Sequence, residues 1–156
     1  MASTITISGT NYSLPAQSDS PAWGENLSSI ITALASVASN QAGTGDITLT
    51  SFVPANNQSS VANVTGLSFD SSLIRGAIIE YSIYRYTASS ELSEVGNLYV
   101  SYKNSAGSAE LAQTHVGSSG ITFSITSGLQ IQYTSTNMAG AGYTSKMQFR
   151  AKAFVQ

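Results

Sequence analysis

The sequence predicts a mainly β protein: an N-terminal β-hairpin plus one α-helix over residues 1–44, then an antiparallel, jelly-roll-like β-sandwich over residues 45–156. Three observations support this. From Asp46 onward, apolar and polar residues alternate in short runs separated by Gly, Ser and Asn, with no helical spacing between them. One stretch ahead of that region has apolar residues three and four apart. The composition, 42% hydrophobic with a net charge of −2, is that of a folding chain, because disordered segments combine low hydrophobicity with high charge.

"STITISGTNYSLP" reads as two short strands around a turn near Gly9, ending at Pro15. A lone hairpin is marginally stable and needs something to pack on. In "SPAWGENLSSIITALASVASN", Ser20 is placed to cap a helix and Pro21 to open it, with a stop in "NQAGTG". Trp23, Leu27, Ile30, Leu34 and Val37 recur at heptad spacing. As a coiled coil, Leu27 and Leu34 fall at a and Ile30 and Val37 at d, a choice that favours three or four strands over two. The same residues also suit a helix lying on its own domain.

Eight strands follow: "ITLTSFV", "SVANVTGLSF", "LIRGAIIEYSIYRYT", "VGNLYVSYK", "ELAQTHV", "ITFSIT", "LQIQYTST" and "KMQFRAKAFV". Strands without interleaved helices argue for an antiparallel sandwich and against a parallel sheet. In the third, Ile79, Tyr81 and Ile83 share one face while Glu80, Ser82, Tyr84 and Tyr86 share the other. Outward aromatic residues imply another layer or another subunit, so Tyr84 and Tyr86 are candidate interface residues together with Leu27, Ile30, Leu34 and Val37. The hairpin Ile121–Asn137 has an apolar face and an outer face of Thr, Ser and Gln, a surface suited to contact and poor in reactive groups.

Charged residues make up 9% of the chain, against about 25% in ordinary globular domains. Little mutual repulsion keeps copies apart, which favours assembly. Six scattered Lys and Arg form no basic stripe, so nucleic acid is not an expected partner. The chain has no cysteine, which removes disulfides and thiolate chemistry. No signal peptide and no membrane-length apolar run is recognisable, so synthesis in the cytoplasm without a membrane partner is expected.

The residues with chemical potential have plain readings. His115 lacks a recognisable nucleophile or carboxylate nearby in sequence. Glu91 and Glu94, in "TASSELSEVG", read as the solvated edge of a turn and not as a glycosidase pair. Asp19, Asp46 and Asp70 are isolated, so no metal or cofactor and no catalytic residue is expected.

"NYSLPAQSDSPAWGENLSSIITAL" resembles the opening of many tailed-bacteriophage virion proteins, and "NVTGLSFDSSLIRGAIIEYSIYR", "ELSEVGNLYVSYKN" and "GITFSITSGLQIQYTSTN" resemble a β-rich domain of phage head-decoration, collar and fibre-tip proteins. Leu129, between Gly128 and Gln130, departs from that pattern at the hairpin turn. The resemblance implies a structural, trimeric virion component without catalytic residues. Two roles follow: a capsid decoration (cement) protein bound to the major capsid protein or another virion protein, or a tail-fibre, collar or tailspike-like knob that binds a host glycan. The hairpin and helix need a partner more than the strand-rich region does, so Tyr12, Leu14 and Trp23 are the candidate attachment residues.

Overall fold

The computed structural model describes residues 4–7, 10–13, 27–32, 34 and 44–155. The chain divides into two compact units, Met1–Ala42 and Gly43–Gln156. In the first, β1 (Thr4–Ile7) pairs antiparallel with β2 (Thr10–Ser13), with Ile5 opposite Tyr12. Residues 27–32 and Leu34 are helical, and Ile30 is buried while Leu27, Ile31 and Leu34 are exposed. Of the expected seam, Val37 lies outside the described residues, as do Leu14 and Trp23 of the expected attachment set.

The second unit is an antiparallel sandwich. Its strands are β3 (Ile47–Phe52), β4 (Ala62–Ser68), β5 (Ile74–Thr87), β6 (Ser90–Lys103), β7 (Ser108–Ser118), β8 (Ile121–Ile125), β9 (Gln130–Ser135) and β10 (Thr144–Val155). One sheet has the order β3-β10-β5-β6-β7, the other β4-β9-β8. The pairing is nested like a roll: the first sandwich strand pairs with the last, and the second with the seventh. The middle of the chain instead forms a meander, β5-β6-β7, in the large sheet and a hairpin, β8-β9, in the small one.

Period-two alternation builds the core from both sheets. Ile79, Tyr81, Ile83, Leu98, Met147 and Phe149 of the large sheet meet Val64, Leu67, Phe123, Ile131 and Tyr133 of the small one. Two edge-on aromatic pairs, Phe52 with Tyr133 and Tyr81 with Phe123, join strands of opposite sheets, each with centroids 5.3 Å apart.

Leu129 stands in the turn between β8 and β9. Its φ is +61°, a left-handed conformation that costs an L-residue about 1–2 kcal/mol. Its side chain is fully buried, and burying a leucine contributes about 1.5–3 kcal/mol, so packing holds the strained backbone. Across β9, the register with β4 shifts between Asn63 and Ser68. There the Gln130 amide nitrogen lies within hydrogen-bonding distance of the Val64 and Leu67 carbonyls and stitches the bulge closed.

β6 starts well before its sequence pattern predicted. β6 begins at Ser90, not Val95, and pairs with β5 without a shift from Thr87↔Ser90 to Gly76↔Ser101. The turn is therefore only Ala88-Ser89. Glu91 and Glu94 stand within a strand, and the expected solvated turn edge is corrected accordingly.

Candidate interaction surface

The inward faces of β5 and β6 carry charge at one end of the sandwich. Arg85 has no exposed surface. Its Nε donates to the Tyr143 hydroxyl (3.0 Å), Nη1 to the Ser119 carbonyl (2.6 Å), and Nη2 to the Thr136 carbonyl (2.7 Å) and Asn56 Oδ1 (3.3 Å). Glu94 is 4% exposed. Its Oε1 accepts from the Tyr81 hydroxyl (2.6 Å) and Gln113 Nε2 (3.0 Å), and its Oε2 from the Ser119 amide and hydroxyl, both 2.8 Å.

Ser119 thus lies between the two charges, its carbonyl toward the cation and its donors toward the anion. A buried ion is tolerated only when its hydrogen-bonding capacity is met, and this arrangement meets it. Burial, then the Glu94 hydrogen bond, push the Tyr81 phenol well above its ordinary range, so it stays a donor. Glycine is required at two neighbours. A Cβ on Gly120, at φ +66°, would stand 2.3 Å from Thr136 Oγ1, and one on Gly96 would stand 2.8 Å from the Tyr81 hydroxyl. The cluster ties β5, β6 and the loops holding Asn56, Ser119 and Thr136 into one rigid end. Ser119 is fully buried.

The outward face of the same sheet has the opposite character. Register places Lys146, Gln148, Arg150 and Lys152 on β10 beside Tyr84, Ser82, Glu80 and Ile78 on β5, then Ser93, Val95, Asn97 and Tyr99 on β6. On β7, Val116 stands opposite Val95. Leu49, Tyr84, Tyr86, Val95, Tyr99 and Val116 are all exposed, Leu49 at 68% and Val116 at 82%. Two shallow hollows meet at Glu80 and Tyr81. One, of about 450 Å3, includes Val95, Asn97, Thr114 and Val116; the other, of about 240 Å3, includes Leu49, Ser82, Gln148 and Arg150. The exposed Arg150–Glu80 ion pair stands on this face. Partial desolvation, then Glu91, raise the Tyr84 phenol above its usual value.

Of the sequence-derived interface residues, Tyr84 and Tyr86 lie together on this outward face, on β5. Leu27 and Leu34 are exposed on the helical segment of the other unit, and Ile30 is buried. Tyr12 has its backbone on β2. His115 lies on β7 beside the larger hollow. Among the described residues, no group of three or more His, Cys, Asp or Glu is placed to hold a metal ion, and no helix is long and apolar enough to cross a membrane.

The sequence reading gave Arg85 no role and placed Glu94 on a solvated turn edge, although a signal for their burial was present. Extending the Ile79-Tyr81-Ile83 alternation two residues further puts Arg85 on the inward face, and extending Leu98-Gly96 backward does the same for Glu94.

No protein-family model matches the sequence, and no curated protein is similar to it. Among solved structures, the crystal structure of an Acinetobacter phage tailspike protein superposes on 69% of this chain with a TM-score of 0.40 and 17% identity. The match spans 22% of the tailspike chain.

Proposed function

We propose that this chain is a structural component of a bacteriophage virion and, within that class, a homotrimeric capsid decoration protein that binds the shell. The observation that supports assembly is the outward face of the large sheet, where Leu49, Tyr84, Tyr86, Val95, Tyr99 and Val116 are exposed together. Exposed apolar side chains on one sheet face, with Val95 directly opposite Val116, suit a contact site, and a chain with 9% charged residues offers little repulsion against its own copies. The virion assignment rests on the sequence resemblance of the opening segment and the strand region. In this reading the exposed Leu27 and Leu34 join the three-fold contact, and the hairpin unit attaches to the major capsid protein or another virion protein.

Two measurements test it. Light scattering at micromolar concentration is expected to give three chains per particle, and Leu27→Asp with Leu34→Asp is expected to reduce this to one. These two positions are preferable to Ile30, which is already buried within a single chain, so that a charge there would disturb the fold under either reading. Full-length protein added to undecorated phage heads is expected to co-sediment, and Trp23→Ala to weaken that binding. A monomer that leaves heads undecorated would overturn the reading.

The second reading, a tail-fibre or tailspike-like knob for a host surface glycan, draws support from the two adjoining hollows. Asn97, Thr114, Ser82 and Gln148 offer neutral hydrogen-bonding groups around the Glu80–Arg150 pair. Binding on a glycan array, lost on Asn97→Ala and Gln148→Ala without loss of fold, would favour the knob over the decoration protein.

A further inference from the structure

The edges of the sandwich are unequal. β3 has six residues, shifts register against β10 between Phe149 and Ala151, and is followed closely by Pro54. β4 is interrupted by its bulge, with Gly66 at φ +83°. β8 has five residues. Shortness, bulges and proline are the devices by which proteins keep sheet edges from pairing with other chains. β7 has neither shortness, nor a register shift, nor proline, and its one residue of positive φ, Gly117 at +86°, stands next to its end. Its eleven residues pair with β6 in unbroken register from Ser93↔Ser118 to Lys103↔Ser108. Its one carboxylate, Glu110, is occupied by Lys103 at 2.6 Å, and the residues from Glu110 to Ser118 on its outward face are exposed.

We propose that β7 is a pairing edge for β7 of a second copy of this chain, joined antiparallel about a two-fold axis into one continuous sheet. The partner must be an extended strand of similar length and alternation, and β7 itself meets that description. Pairing must set outward residues against outward residues, so the axis passes through a residue position. With the axis at Ala112, Gln113 or Thr114, Glu110 faces Thr114, Val116 or Ser118 of the other copy, and no like charges meet. This contact is two-fold and is separate from the three-fold one above; with both present, copies assemble in multiples of six, and with this one alone, in twos.

The test uses the full chain. Sedimentation over a concentration series is read together with hydrogen exchange of the Glu110–Ser118 segment by mass spectrometry, for the natural sequence and for Ala112→Lys and Thr114→Lys. Both positions are exposed strand residues, so the fold tolerates the change. The expected result is a concentration-dependent doubling of mass with nearly all amides of the segment slow to exchange. On dilution, or with either lysine, about half should become fast, as on a free edge where every second N–H faces outward. Three chains that never become six, with half the amides fast at every concentration, would overturn the two-fold contact and leave the trimer standing. Dimers without trimers would do the reverse. Full protection that survives dilution and both lysines would also overturn it, since the edge is then covered within the chain.

Discussion

β5 and β6 present two opposite faces, and each inverts the usual allocation of residues. Inward, at one end, they bury Arg85 and Glu94; outward, they expose Tyr84, Tyr86, Val95 and Tyr99. The difference lies in what the chain itself satisfies. The buried charges have hydrogen-bond partners on every side, and among the described residues no buried side-chain nitrogen or oxygen is left without one. The outward apolar side chains of β5 and β6 have no such completion within the sandwich, so the free energy of covering them remains available for a partner. Polarity by itself therefore says little about whether a surface is finished, whereas the partners of each group do.

That contrast can be broken from the inside first. Arg85→Leu is predicted to be strongly destabilising, at about 1–3 kcal/mol for each of the Ser119 and Thr136 carbonyls it strands. Urea denaturation measures it. Arg85→Leu combined with Glu94→Leu is expected to cost less than the sum of the single changes, since both act through Ser119. Strict additivity would mean that the two charges are independent.

On the outward face the expectation is reversed. Tyr84→Ser with Val95→Thr should leave the unfolding midpoint of dilute protein nearly unchanged, within about 0.5 kcal/mol per site. Self-association should weaken by at least about tenfold, or 1.4 kcal/mol, in sedimentation. A large loss of stability with assembly intact would show that this face belongs to the fold.

Alkaline pH probes the inward face more gently. The Tyr81 phenol is raised in the folded state, so above about pH 10 the unfolded chain gives up a proton that the folded chain keeps. Unfolding then releases protons, and stability, complete below that pH, falls as pH rises further. Urea midpoints measured at pH 7, 9, 10 and 11 should show the fall, and Tyr81→Phe should flatten it. The smallest effect is expected on the small sheet. Thr122→Lys and Ser124→Lys, exposed on β8, should change neither stability nor assembly by more than about 0.5 kcal/mol. Loss of assembly there would move the contact to the polar face.

That polar face was the one the sequence made conspicuous. Its glutamines bond along their own sheet, Gln132 Nε2 to Asn63 Oδ1 at 2.9 Å and Gln130 Nε2 to the Val64 and Leu67 carbonyls, so part of that polar surface is already engaged. The exposed apolar face was legible only in part, through Tyr84 and Tyr86. Val95 and Val116 are unremarkable in sequence, and become a patch because β6 and β7 align them.

Alternation alone determined the mainly β character, the eight sandwich strands and the inward set from Ile79 to Ile83, because a strand's two faces are a local property of its backbone. The pairing order, the reach of β6 back to Ser90 and the meeting of Arg85, Ser119 and Glu94 were decided by tertiary structure. Their physical reason is non-local: Arg85 is buried at a bearable cost only where β5 brings it to carbonyls 34 and 51 residues further along the chain, and no local pattern encodes that closure.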